Sequence, residues 1–262
     1  MQVTSLASGS QGNAYLVQTA DAALLIDCGL SWRSLSSRLC AAGFGKDLAF
    51  AGVLLTHSHL DHVKGLSAFL KRHPDVPVFA NAMTAECVVH EQKLAAESFM
   101  CFENGQGFEV GGFFVSPFSV PHDAPDPVGY LVAADDSAAG RTTYFHGTDI
   151  GTPLTSVGLK LAQADIATLE SNHDSELLYR SGRPVSVIQR ISGPRGHLSN
   201  DQSAELVRKY ASPRLRKLAL AHLSGACNAP HLAERTMRAA LDEIGRGDIV
   251  LDIFEQDKTM TL

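Results

Sequence analysis

The sequence predicts an α/β (α+β) protein of layered sheets with helices outside. Apolar runs of strand length recur in both halves of the chain, and stretches with helical period separate many of them. Gly, Asn, Asp or Pro punctuates most junctions. No linker, repeat or low-complexity segment interrupts the 262 residues, so a single domain over residues 1–262 is expected.

In chain order, VTSLASG, NAYLVQT and AALLIDCGL read as three strands, separated by turns at Gly-Ser-Gln-Gly-Asn and Thr-Ala-Asp. Ser31 is placed to cap a helix carrying Trp32, Leu35 and Leu39 on one apolar face and stopping at Gly43. AGVLLTH is a strand, and a helix through HVKGLSAFLKRH follows, ending before Pro74. VPVFAN is a strand and MTAECVVHEQKL a helix. The middle of the chain (FEVGGFFVSPFSVPHD, GYLVAAD, RTTYFHGTD) is β-rich. Helix SVGLKLAQA, strand ADIATLES and helices SELLYR and NDQSAELVRKY come next, the last capped by Ser199 or Asn200. Strand KLALAHL, helix PHLAERTMRAALDEI and strand DIVLDIF close the chain.

Hydrophobic content of 45% and charged content of 19% suit a soluble protein with a substantial core. The N-terminus has no basic start and no apolar h-region, and no run approaches ~18 apolar residues, so neither a secretory signal nor a membrane span is expected. Five scattered cysteines without a C-x-x-C pair read as reduced thiols, which points to the cytoplasm. Net charge is −6, yet residues 180–217 hold nine basic side chains against Asp201 and Glu205. This basic segment is either a solvated helix face or a surface for polyanions.

TH57-S-H59-L-D61-H62 places four side chains of metal-ligand type within six positions, directly after the apolar run VLLT. Residues two apart in an extended chain face the same side, so His57 and His59 can grip one ion. A helix starting there would turn Asp61 and His62 toward a second point. Histidine and carboxylate without cysteine favour zinc, with manganese and iron as alternatives.

H-x-H-x-D-H after a strand resembles the signature of the metallo-β-lactamase fold, an αββα sandwich of two mixed sheets with helices outside and metals at one sheet edge. Further matches follow in order: Asp27 in LLIDCG, His122 in SVPHDA, Asp149 in HGTDIG and His222 in LALAHLS. The resemblance implies two divalent ions per chain. His57, His59 and His122 would hold the first, Asp61, His62 and His222 the second, with Asp149 between them. Asp27 would orient the motif by bonding a ligating histidine. A pair of such ions shares a hydroxide and lowers the pKa of bound water from about 15.7 toward ~7, which makes a metal-dependent hydrolase.

The bond cut depends on other residues. A lactamase is disfavoured because no signal peptide is seen and an aspartate stands at 149. A glyoxalase-II-like thioesterase, or another small-molecule metallo-hydrolase, keeps the same ligands and stays an alternative. ISGPRGHLSNDQS offers what a phosphodiester needs: Gly196 for close backbone approach, Ser199 and Asn200 at a helix start, and charge from Arg190 and Arg195. His197 can bind phosphate or supply a proton.

LASGSQGNAYLV, SVPHDAPDPVGY, TLESNHDSELL, RISGPRGHLSN and HLSGACNAP together resemble the YycJ/VicX-type group, which implies a DNA exonuclease acting from the 5′ end. The catalytic set expected is Asp61, His197 and Glu170, the last orienting His197. Gly225, Ala226 and Cys227 depart from a stretch often more polar in that group. Ser8, Gly9, Ser10 and Asn13 are expected to build the first hairpin, with substrate contact as the alternative. His73, His90, His146 and His231 lack ligand spacing and are expected on the surface or in packing.

Overall fold

Strands buried on both faces need cover on two sides. This chain provides a second sheet on one side and helices on the other. The computed structural model describes residues 1–45, 48–136 and 140–262. The first half contains β1 (Gln2–Ala7), β2 (Ala14–Gln18), β3 (Ala23–Ile26), α1 (Trp32–Ala41), β4 (Phe50–Leu54), α2 (Leu60–Val63), α3 (Leu66–Leu70), β5 (Val78–Asn81), α4 (Ala82–Gln92) and β6 (Phe99–Phe102). The second contains β7 (Phe108–Val110), β8 (Phe113–Ser119), β9 (Val128–Asp136), β10 (Gly140–Gly147), α5 (Thr155–Leu161), β11 (Ile166–Glu170), α6 (Ser175–Tyr179), α7 (Val185–Ser192), α8 (Asn200–Tyr210), β12 (Lys217–Ala221), α9 (Pro230–Glu243), β13 (Val250–Ile253) and β14 (Met260–Thr261).

Two seven-stranded sheets form, in the orders β14-β1-β2-β3-β4-β5-β6 and β13-β12-β11-β10-β9-β8-β7. Both are mixed in the same way. Pairing is antiparallel from β14 to β3 and parallel from β3 to β6. It is antiparallel from β7 to β10 and parallel from β10 to β13.

The two-residue period of a strand sends alternate side chains to opposite faces. Tyr15, Val17, Leu24 and Ile26 therefore meet Val115, Tyr130, Val132 and Tyr144 between the sheets. Leu16 and Leu25 pack instead with Leu35, Leu39, Phe69 and Val88 of the flanking helices. Phe145, Leu169 and Leu218 of the second sheet pack with Val157, Leu161, Val207, Met237 and Leu241 of α5, α8 and α9. The result is the αββα sandwich.

Ser31 caps α1 as expected, its side chain accepting from the Ser34 N–H. The helix expected through HVKGLSAFLKRH is instead two short helices broken at Gly65. There a Cβ would lie 1.8 Å from the Leu30 carbonyl oxygen, and the Gly65 N–H bonds the Cys28 carbonyl at 2.8 Å. Long-range contact, which no periodicity records, overrides helix propensity at that point. Strand β6 and helix α7 were not foreseen either. β6 is a four-residue edge strand with no buried side chain, so its pattern is weak. α7 buries only Ile188 and is rich in β-branched residues.

His146, next to last in β10, lies between the sheets, its ring 4.6 Å from that of Tyr15 and its Nδ1 3.0 Å from the Tyr144 hydroxyl. Burial pushes its pKa down to about 3, against 6.5 for an ordinary histidine. The unfolded chain therefore binds more protons between those values, and stability falls as pH falls through that window. In His146→Phe, whose ring takes no proton, urea unfolding between pH 6.5 and 4 is expected to show a shallower loss of stability than in the parent. Parallel curves for the two proteins would refute this.

Candidate metal centre

The candidate ligands, and Asp27 that orients them, lie beyond the carboxyl ends of strands: Asp27 after β3, His57 and His59 after β4, His122 after β8, Asp149 after β10 and His222 after β12. Glu170 is the last residue of β11. Asp27, Asp149 and His222 have φ of 59°, 56° and 56°. This left-handed backbone costs a non-glycine residue roughly 1–3 kcal/mol and turns the chain sharply where each strand ends. Gly29 is required beside them, since a Cβ there would lie 1.6 Å from the Asp61 carbonyl oxygen.

The side chains converge on two points. His57, His59 and His122 bring ligand atoms within 4.8 Å of one another, as do Asp61, His62 and His222. Asp149 reaches both groups, with Oδ1 3.7 Å from His122 Nε2 and Oδ2 3.3 Å from His62 Nε2. Nε2 of His57, His122 and His222 and Oδ2 of Asp149 are buried without a hydrogen-bond partner. Buried polar atoms are costly unless another group meets them, and imidazole nitrogens with carboxylate oxygens suit a divalent cation. The residues fit divalent metal ions.

Polar partners outside the cluster orient these rings. Asp27 lies 2.7 Å from His62 Nδ1 and accepts from the Thr56 N–H and hydroxyl, so the loop opening the H-x-H-x-D-H motif is tied to the end of β3. The Gly196 carbonyl is 2.9 Å from His122 Nδ1. Glu170, fully buried, places Oε1 2.9 Å from His197 Nδ1 and 3.0 Å from His222 Nδ1. Its Oε2 accepts from the Ile150 and Leu198 N–H groups. One carboxylate thus fixes two imidazoles and two loops.

Carboxylates and imidazoles in the cluster set one another's charge. Burial opposes ionisation of Asp149, but the neighbouring His222 and His62 outweigh it and hold the carboxyl well below its usual range. Burial would likewise raise Glu170, yet His197 and His222 bring it to about 2. Burial disfavours the proton on His222, while Asp149, Asp61 and Glu170 raise it to about 10. His57, buried beside His62, is driven well below the ordinary histidine value. Bound cations would take the place of the protons these carboxylates attract.

A cleft of about 290 Å³ opens onto the cluster. Ser10, Arg183, Arg190, Gly196 and His197 line it together with His59, Asp61, His122, Asp149 and His222.

A family described as the beta-lactamase superfamily domain matches residues 23–222, a span that includes every candidate ligand. The chain belongs to the beta-lactamase superfamily. It is 30% identical over 247 residues to exodeoxyribonuclease WalJ of Streptococcus pneumoniae serotype 2, covering 93% of this chain and 88% of that protein. Exodeoxyribonuclease YycJ of Bacillus anthracis is 31% identical over 243 residues, covering 92% and 89%. Among solved structures, the metallo-beta-lactamase fold protein YhfI from Bacillus subtilis aligns over 100% of this chain and 99% of its own, with a TM-score of 0.73. At 16% identity that likeness is one of fold.

Three expected phosphate contacts take other partners. Ser199 and Asn200 are buried. Ser199 accepts from the Gln202 N–H in a capping box that closes the start of α8. Asn200 is bonded to Ser171 and Asn228. Arg195 donates from Nε to the His122 carbonyl and is not part of the cleft lining. Gly196 does line the cleft, but its lack of a side chain is required by the Ile191 carbonyl, 2.1 Å from a Cβ built there.

Several side chains of the basic segment have acidic partners. Arg208, Lys209 and Arg214 pair with Glu243, Glu205 and Asp165, which leaves Arg183 and Arg190 as the arginines in the cleft. Arg190 itself bonds Asp123, whose other oxygen is 3.3 Å from His122 Nε2. Asp123 and Thr56 were missed from sequence. Their one signal was adjacency to a candidate histidine.

Glu170→Ala would strand the buried Ile150 and Leu198 N–H groups, at about 1–3 kcal/mol for each donor. Urea unfolding should therefore show a marked loss of stability, smaller in Glu170→Gln, which keeps an acceptor. A stability equal to the parent's in Glu170→Ala would refute this account of the carboxylate.

Proposed function

We propose that this chain is a metal-dependent phosphodiesterase whose substrate is DNA, degraded from the 5′ end, with residues 1–262 acting as one domain. Its relation to two exodeoxyribonucleases over 93% and 92% of its length supports the reading. The observation that favours it over a thioesterase is the sharing of one cleft by Arg183, Arg190 and His197 with the candidate ligands. A phosphodiester brings negative charge to that cleft; a small neutral thioester does not.

His57, His59 and His122 would hold one divalent ion and Asp61, His62 and His222 a second, with Asp149 between them. The donor set favours zinc, and manganese is compatible with it. Such a pair, when bound, supplies a nucleophile from water at neutral pH and offsets charge developing on the attacked centre. Arg183 and Arg190 draw the non-bridging oxygens into the cleft. His197, held through Nδ1 by Glu170, gives a proton to the leaving alkoxide. Asp27 keeps His62 in place. No helix among the described residues is long and apolar enough to cross a membrane. Five unpaired cysteines suit a reducing compartment such as the cytoplasm.

The test is a time course on end-labelled single- and double-stranded DNA with zinc or manganese, beside a thioester substrate and an EDTA control. Expected are DNA cleavage abolished by EDTA, an intact thioester, and early release of the 5′ label. Thioester hydrolysis with intact DNA would replace this reading by a small-molecule hydrolase.

In the same assay His197→Ala is expected to slow cleavage by roughly 10²–10⁴-fold with metal content unchanged. Asp149→Ala is expected to lose both cleavage and metal. Full metal content in Asp149→Ala, or parental cleavage in His197→Ala, would remove the corresponding role.

A further inference from the structure

The first hairpin reaches further into the molecule than a turn needs to. Asn13 is fully buried. Its Oδ1 accepts from the Gly9 N–H at 2.9 Å and from the Tyr15 hydroxyl at 3.2 Å, which fixes which end of the carboxamide is the donor. Nδ2 closes the turn through the Gly9 carbonyl at 3.1 Å. The same nitrogen lies 3.0 Å from His62 Nε2 and 3.4 Å from Asp61 Oδ2. A hairpin has no use for those two contacts, and both atoms are ones a metal ion would take.

The backbone adds to the link. The Asn13 N–H donates to the Asp61 carbonyl at 2.8 Å, and the Asn13 carbonyl accepts from Gly29 at 2.8 Å. Ser8, at the other end of the turn, accepts from the Tyr15 hydroxyl at 2.8 Å and from the His222 N–H at 2.7 Å. The turn is braced from outside, since Gln256 bonds both the Gln11 N–H and the Gly12 carbonyl.

We propose that Asn13 is a positioning residue for the second ion, aligning Asp61 with its carboxamide and backbone N–H and linking it to His222 through Tyr15 and Ser8. This rests on the two-ion reading above. When His62 carries its proton on Nδ1, toward Asp27, its one Nε2 lone pair goes to the ion, and the Asn13 Nδ2–H not used by Gly9 donates to Asp61 Oδ2, whose carboxylate has lone pairs for both the donor and the ion. Asn13→Ala removes the side-chain donor to Asp61 and the acceptor of the Gly9 N–H. What is lost is the fixed alignment, so the second ion is held more weakly. Removal of such supporting hydrogen bonds typically weakens metal binding roughly 10–100-fold.

The experiment is calorimetric titration of the metal-stripped full chain with zinc, alongside its thermal unfolding without metal. His59→Ala and Asp61→Ala backgrounds assign the two binding steps. The parent is expected to bind two ions. Asn13→Ala is expected to bind the second roughly 10–100-fold more weakly and the first with parental affinity.

A purely structural role would lower the unfolding temperature and weaken both ions alike. That result, or parental affinity at both sites, would overturn the proposal while leaving the two-ion reading intact. A parent that binds fewer than two ions would overturn both. If Asn13→Ala does not fold, Tyr15→Phe decides: it removes one hydroxyl from the chain of contacts and should weaken the second ion alone by roughly 2–10-fold, the worth of one hydrogen bond. Unchanged affinity in Tyr15→Phe would then count against the coupling.

Discussion

Asp27, Asp149 and Glu170 are carboxylates with almost no exposure to solvent, gathered at one edge of two sheets. Burying a charged carboxylate is expensive unless it is paired and hydrogen-bonded, and each of these is met by imidazole or backbone N–H. Asp27 is paired with His62 and Thr56, and Glu170 with His197, His222 and two amides. The surrounding loops are held where these pairings require them. That explains why residues from strands far apart in sequence end within a few ångströms of one another, and why three of them accept a left-handed backbone.

The sheet topology supplies the place for this. Each sheet changes from antiparallel to parallel pairing at one strand, β3 in the first and β10 in the second. Asp27 follows β3 and Asp149 follows β10. Crevices beyond the carboxyl ends of parallel strands are where open α/β sheets place their sites, and two such edges meet here. The arrangement recurs across the sandwich: in each sheet a carboxylate at a strand end orients a histidine of the cluster, Asp27 acting on His62 and Glu170 on His222.

The two walls of the cleft are made differently. The metal-facing wall is polar and largely buried, its rings held from behind by hydrogen bonds while several of their inward atoms stay unpartnered. The opposite wall, from α7 and the residues just before it, is exposed and cationic, with Arg190 paired to Asp123 and Arg183 beside it. A rigid ligand cluster facing adaptable long side chains suits a substrate whose charge is constant but whose position along a polymer changes.

Much of this could be read from sequence. Apolar runs located most strands of both sheets, β6 and β14 excepted, and Ser31 and Ser199 marked helix starts, because burial pattern and capping are local properties. His57, His59, Asp61 and His62 stood out because their spacing alone brings them together. His122, Asp149 and His222, far apart in sequence, could be assigned only through the family resemblance, and the structure brings them beside the first four.

Tertiary structure decided the rest. It split a helix at Gly65 against Leu30, and it committed Ser199 and Asn200 to capping and to a buried network rather than to the cleft. It neutralised much of the basic segment with acids from other elements and brought Asn13 to the side of Asp61 and His62. Each of these outcomes depends on which distant group comes within hydrogen-bonding or van der Waals distance. Residue type and local spacing carry no record of that, because such contacts form only when the sheets close on one another.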